Sequence, residues 1–88
     1  MMKYEFLRIQ HHLSSIYANK NQEIEKVLNK INADLNHLIH LTKKNQLQLD
    51  DYIEEMKNVR ENVYPDKEEI MSLYDTYIYD LEALARSK

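Results

Sequence analysis

The sequence predicts an all-α protein built from amphipathic helices. Apolar residues recur at three- and four-residue intervals along almost the whole chain, which is the period of one helix face. Gly is absent and Pro occurs once, at Pro65. Tight turns between strands draw on Gly for positive φ, so a β-rich fold has nothing to turn with. Strict apolar–polar alternation does not persist over any strand-length stretch.

Four runs carry the helical spacing. The first is Phe6, Ile9, Leu13 and Ile16, and the second is Ile24, Leu28, Ile31, Leu35 and Leu38. The third is Leu49, Tyr52, Met56, Val59 and Val63, and the fourth is Ile70, Leu73 or Tyr74, Tyr77, Leu81 and Leu84. Residues 19–22 and 64–67 interrupt the stripe. Pro65 removes a backbone donor and disfavours helix in the residue before it. Asp66 with Glu69 reads as a capping box opening the last helix; alternatively Pro65 occupies that helix's first turn. Residues 42–46 separate the second run from the third and form the expected reversal, with Asn45 suited to end a helix in a left-handed conformation without Gly.

Charge divides along the chain. Residues 1–44 hold seven Lys/Arg against four Asp/Glu, a balance of +3, and residues 45–88 hold five against eleven, a balance of −6. Opposite halves attract when packed side by side. The expected architecture is therefore an antiparallel, coiled-coil-like helical hairpin with its turn near 42–46 and a break near Pro65. It forms a single domain over 1–88. Folding there sets Leu38 against Leu49, Ile31 against Met56, Leu13 against Tyr74, Ile9 against Ile78 and Phe6 against Leu81, and brings the two stripe interruptions opposite each other. The alternative is a three-helix bundle with helices near 3–42, 47–63 and 67–86.

A lone hairpin buries one stripe per helix, against an ordering cost of about 1.5 kcal/mol per residue. Assembly into a helical bundle, as a homo-oligomer or a hetero-complex, is expected to complete the core. The last helix has an apolar face wider than one neighbour covers, and Met1, Met2, Tyr4, Phe6, Leu7 and Ile9 enrich the N-terminal segment. The expected partner-binding group is Phe6, Ile9, Tyr74, Tyr77, Ile78 and Leu81, because Tyr and Met are favoured at interfaces. The competing reading buries these side chains inside a monomeric bundle.

Several chemistries are excluded or ranked low. Without Gly there is no phosphate-cradling loop, and without Cys no disulfide or thiol chemistry. No cofactor and no metal are expected. His37 and His40 lie one helical turn apart with Asp34 a turn earlier, a spacing that seats a metal only if Asp50 or Asp51 supplies a further ligand. Solvated surface histidines are the favoured reading, and adjacent His11 and His12 diverge on a helix. The acidic groups Asp50, Asp51, Glu54, Glu55 and Asp66, Glu68, Glu69 stand near helix starts, where carboxylates complement the helix dipole. Tyr74 and Tyr77 read as core, with Tyr79 at the surface. No apolar run approaches the roughly 18 residues needed to span a bilayer, and the N-terminus has no apolar signal region, so a cytoplasmic protein is expected; export without a signal peptide leaves the same N-terminus.

In size and shape, a chain of this length folded at its middle resembles the small helical-hairpin proteins of Gram-positive type VII secretion systems. The Trp-x-Gly turn of that group is absent here. Its Tyr-x-x-x-Asp/Glu signal is matched by Tyr64 and Glu68, at the Pro65 break. The resemblance implies a small helical partner of a secretion system. The reading preferred from the residues is a non-catalytic interaction module: an adaptor, inhibitor or chaperone-like partner of a larger protein. A nucleic-acid-binding helical dimer using Lys20, Lys26, Lys30, Lys43 and Lys44 ranks below it, because the sequence pI is about 5.8. An enzyme ranks last.

Overall fold

A computed structural model describes residues 3–44 and 47–86. Four α-helices follow in order: α1 (Lys3–Tyr17), α2 (Gln22–Lys43), α3 (Leu49–Asn62) and α4 (Glu68–Arg86). No strand occurs among the described residues. The chain forms two compact units, residues 1–47 and 48–88. Each is a helical hairpin, α1 packed on α2 and α3 packed on α4.

In the first unit, α1 buries Phe6, Ile9, Leu13 and Tyr17, and α2 buries Ile24, Val27, Leu28, Ile31, Leu35 and Leu38. The expected last core position of α1, Ile16, is 41% exposed, and Tyr17 takes its place. A straight helix turns every 3.6 residues rather than 3.5, so the buried face drifts from position 16 to position 17. The interruption at 19–22 is a chain reversal. Ala18 N–H still bonds to Ser14 O at 3.0 Å, and then Asn19 turns the backbone at φ 63. Asn tolerates that left-handed conformation better than other residues with a β-carbon, so it stands in for Gly. Asn19 N–H donates to Glu25 Oε1 at 3.0 Å. Asn21 is extended and caps α2, its Oδ1 accepting from Ile24 N–H at 2.9 Å. Glu23 and Glu25 in the first turn complement the helix dipole.

The second unit is built differently. α3 buries only Leu49, Ile53 and Met56, whereas α4 buries Ile70, Leu73, Tyr74, Tyr77, Ile78, Leu81 and Leu84. Tyr52 and Val59 are half-buried. Val63, expected in the stripe, follows the helix end and is 59% exposed. The connection is a turn closed by Lys67 N–H donating to Tyr64 O at 3.3 Å, with Pro65 at the second position, where its fixed φ fits. Tyr64 folds back to stack on Tyr74, with centroids 5.8 Å apart. Lys67 O accepts the first helical bond, from Met71 N–H at 2.8 Å. α4 thus opens at Glu68, one residue too late for an Asp66–Glu69 capping box and three residues beyond Pro65.

Both stripe interruptions are therefore helix ends across which neighbouring helices pack. This corrects the three-helix alternative, whose first helix runs unbroken over 3–42. The expected long-armed hairpin matches residues of one unit with residues of the other, whereas the observed helix pairs lie inside each unit. Of the reversal expected at 42–46, Asn45 and Gln46 lie outside the described residues, as do Met1 and Met2. Among the described residues, no helix is long and apolar enough to cross a membrane.

Candidate functional site

The six side chains expected to meet a partner are all core. Phe6, Tyr77 and Leu81 are fully buried, and Ile9, Tyr74 and Ile78 nearly so. Those of α4 belong to its buried face. The physical reason lies in α4 itself. Seven of its nineteen residues are buried, at positions that cover nearly half the helix circumference.

What α4 packs against in its own unit is partly polar. Tyr52 and Tyr77 share a hydrogen bond between their hydroxyls at 2.8 Å, with the rings edge-to-face, 6.2 Å apart and inclined at 77°. Arg60 grips Asp75 with two guanidinium nitrogens, Nη2 donating to Oδ2 at 3.2 Å and Nε facing Oδ1. Lys57 bridges to Glu82 at 3.2 Å and reaches Glu54 at 3.7 Å. Apart from Glu54 with Lys57, which are three residues apart on α3, none of these pairs is announced by sequence spacing, because each joins residues on different helices. The only hint is a hydroxyl-bearing Tyr52 at a stripe position.

Lys57 lies in an open groove between α3 and α4, lined by Asp50, Ile53, Glu54, Glu82, Ala85 and Arg86 as well. The hydrogen bond that Lys57 donates to Glu82 and that carboxylate's charge raise the Lys57 pKa above its ordinary 10.5, with opposition from desolvation and a smaller contribution from Glu54. A raised amine stays protonated near neutrality. The group is thus a cation in an ion-pair cluster, not a poised nucleophile.

The remaining candidates lie apart. His37, His40, His11 and His12 are exposed. Asp34 faces Lys30 at 4.0 Å, and Asp50 and Asp51 belong to the other unit. No group of three or more metal-ligating side chains occurs among the described residues. Asp50 and Asp51 occupy the first turn of α3, and Glu68 and Glu69 the first turn of α4. Tyr79 is exposed, in contrast to Tyr74 and Tyr77.

Of the apolar residues that enrich the N-terminal segment, two on α1 face solvent. Tyr4 is 69% and Leu7 39% exposed, three residues apart and on the side of the helix away from Phe6, Ile9 and Leu13. The signal was present: the N-terminal segment holds more apolar residues than one stripe uses. Comparison of the chain with known protein families, with characterised proteins and with solved structures finds no match.

Proposed function

We propose that the protein is a non-catalytic helical interaction module of the cytoplasm, an adaptor, inhibitor or chaperone-like partner of a larger protein. The observation that carries this reading is the Tyr4–Leu7 pair. The hairpin already has a full set of core side chains, and these two spend their apolar surface on solvent. A large aromatic and an aliphatic side chain one turn apart form the smallest anchor by which one helix seats on another. Arg8 and His11 flank the pair and supply the polar rim.

The test replaces Tyr4 and Leu7 together by Ser and compares capture of a binding partner from the native host with that of the unaltered chain. Both positions are exposed, so circular dichroism should report unchanged helicity. Loss of the captured partner with helicity intact is the expected result. Undiminished capture removes α1 as the docking face.

A further inference from the structure

Beside its buried stripe, α2 carries a second one. Positions 25, 29, 32, 36, 39 and 43 follow each other at alternating four- and three-residue steps and so form one ridge. They are Glu25, Asn29, Asn32, Asn36, Ile39 and Lys43, and none belongs to the buried set of the helix. Asn29, Asn36 and Lys43 are exposed, and Glu25, Asn32 and Ile39 are half-buried. Three Asn inside one helix work against it, because their side chains compete for the backbone. A face that only meets solvent is better served by Lys, Glu or Ala. Asn32 bears a second cost, since its Oδ1 is buried with no hydrogen-bond partner among the described residues. The ends of the ridge differ in charge, with Glu25 in the first turn of α2 and Lys43 at its last residue.

We propose that this ridge pairs with the same ridge of a second copy of the chain, the two α2 helices antiparallel about a two-fold axis between positions 32 and 36. In that register Asn32 of each copy meets Asn36 of the other, Glu25 meets Lys43, and Ile39 covers the β-carbon of Asn29. An amide is both donor and acceptor, so an Asn–Asn contact complements itself. Asn36 Nδ2 of the second copy supplies the donor that Asn32 Oδ1 lacks, once the half-buried Asn32 amide turns outward. Charge selects the direction. Antiparallel pairing sets opposite charges together at both ends, whereas parallel pairing sets Glu25 on Glu25 and Lys43 on Lys43. Glu25 Oε1 accepts from Asn19 N–H, but that donor is neutral and leaves the carboxylate's charge to be matched. A helix of another protein is the less favoured occupant, because it would have to repeat an amide pattern and a charge order that the ridge already supplies to itself. This surface is separate from the Tyr4–Leu7 anchor and does not depend on it.

Sedimentation equilibrium of the full chain tests the proposal. The unaltered chain should pass from monomer to dimer mass as concentration rises. Asn32→Ala and Asn36→Ala should each weaken the dimer about tenfold, and the double variant no more than either, because all three break the same contact. Both changes raise helix propensity, so circular dichroism should show helicity kept or increased and a weaker dimer is not lost folding. Lys43→Glu should also weaken the dimer, by facing Glu25 with a like charge. Direction is read separately. The chain has no Cys, so an engineered thiol is unique. Under mild oxidation Asn29→Cys mixed with Ile39→Cys should give a disulfide-linked pair. Neither variant alone should, because identical positions then lie roughly 15 Å apart along the axis, beyond the reach of a disulfide. A chain monomeric at every concentration overturns the proposal. So does a dimer indifferent to Asn32→Ala and Lys43→Glu, which assigns association to another surface. Cross-linking of each single-thiol variant in preference to the mixture overturns it as well, since that assigns parallel helices.

Discussion

The two hairpins solve the same packing problem with different materials. In the 1–47 unit the buried side chains of both helices are apolar apart from the Tyr17 hydroxyl, and at the connection Asn19, Asn21 and Glu25 turn and cap the chain. In the 48–88 unit α3 offers only three buried apolar residues against seven from α4, and cross-helix polar and aromatic contacts accompany them, Tyr52 with Tyr77, Arg60 with Asp75, Lys57 with Glu82 and Tyr64 with Tyr74. An apolar seam tolerates sliding by a turn, since one Leu replaces another. The hydroxyl bond shared by Tyr52 and Tyr77 does not, so it sets the register where α3 is short of apolar side chains.

Substitutions in each hairpin break or sharpen this contrast. The largest effect is expected from Tyr77→Asp with Leu81→Asp. Both side chains are fully buried, and two carboxylates placed there without partners exceed the stability of a small domain. Loss of the helical signal in circular dichroism is expected; a chain that keeps its helicity and merely changes its association would return these residues to the surface. Next is Leu13→Ala, in the apolar seam of the first unit, with an expected cost of about 2–5 kcal/mol read from urea unfolding. Asn21→Ala should cost about 1 kcal/mol through the lost cap. Tyr77→Phe should cost about 1 kcal/mol and should be non-additive with Tyr52→Phe; additive losses would show that the two hydroxyls act independently.

The smallest effect is that of pH on Lys57. Its folded pKa is raised above 10.5, so the contribution of the Glu82 bridge is fully present below that value and is lost as pH rises through the folded value. A Lys57→Met variant should therefore differ from the parent near neutrality and converge with it in strongly alkaline solution. A difference that persists unchanged there would assign the effect to packing of the side-chain stem.

Much of the fold is legible in the sequence. The three-to-four spacing marks all four helices, and the polar runs at 19–22 and 64–67 mark two helix ends to within two residues. Tyr74 and Tyr77 are core, as the spacing of the last run indicates. The burial of the six residues expected at a partner surface was not legible, for a definable reason. Apolar surplus in a helix says that a wide face must be covered, not what covers it, and the surplus of α4 is spent inside the chain. Tyr4 and Leu7 were part of the same N-terminal enrichment, but only the position of Phe6 and Ile9 in the core identifies which side of α1 is left over.

The sequence by itself determines the helices, because the period of an apolar stripe and the chemistry of a cap are local properties readable within a dozen residues. It determines the opposite charge of the two halves, and it rules out chemistry that needs Gly or Cys. Only the tertiary structure decides that the interruptions are reversals and that α1 pairs with α2 and α3 with α4. Two regular stripes match in many registers. The choice among them rests on the left-handed turn at Asn19, the Pro65 turn, and polar contacts such as Arg60 with Asp75, which exist only once the helices have met.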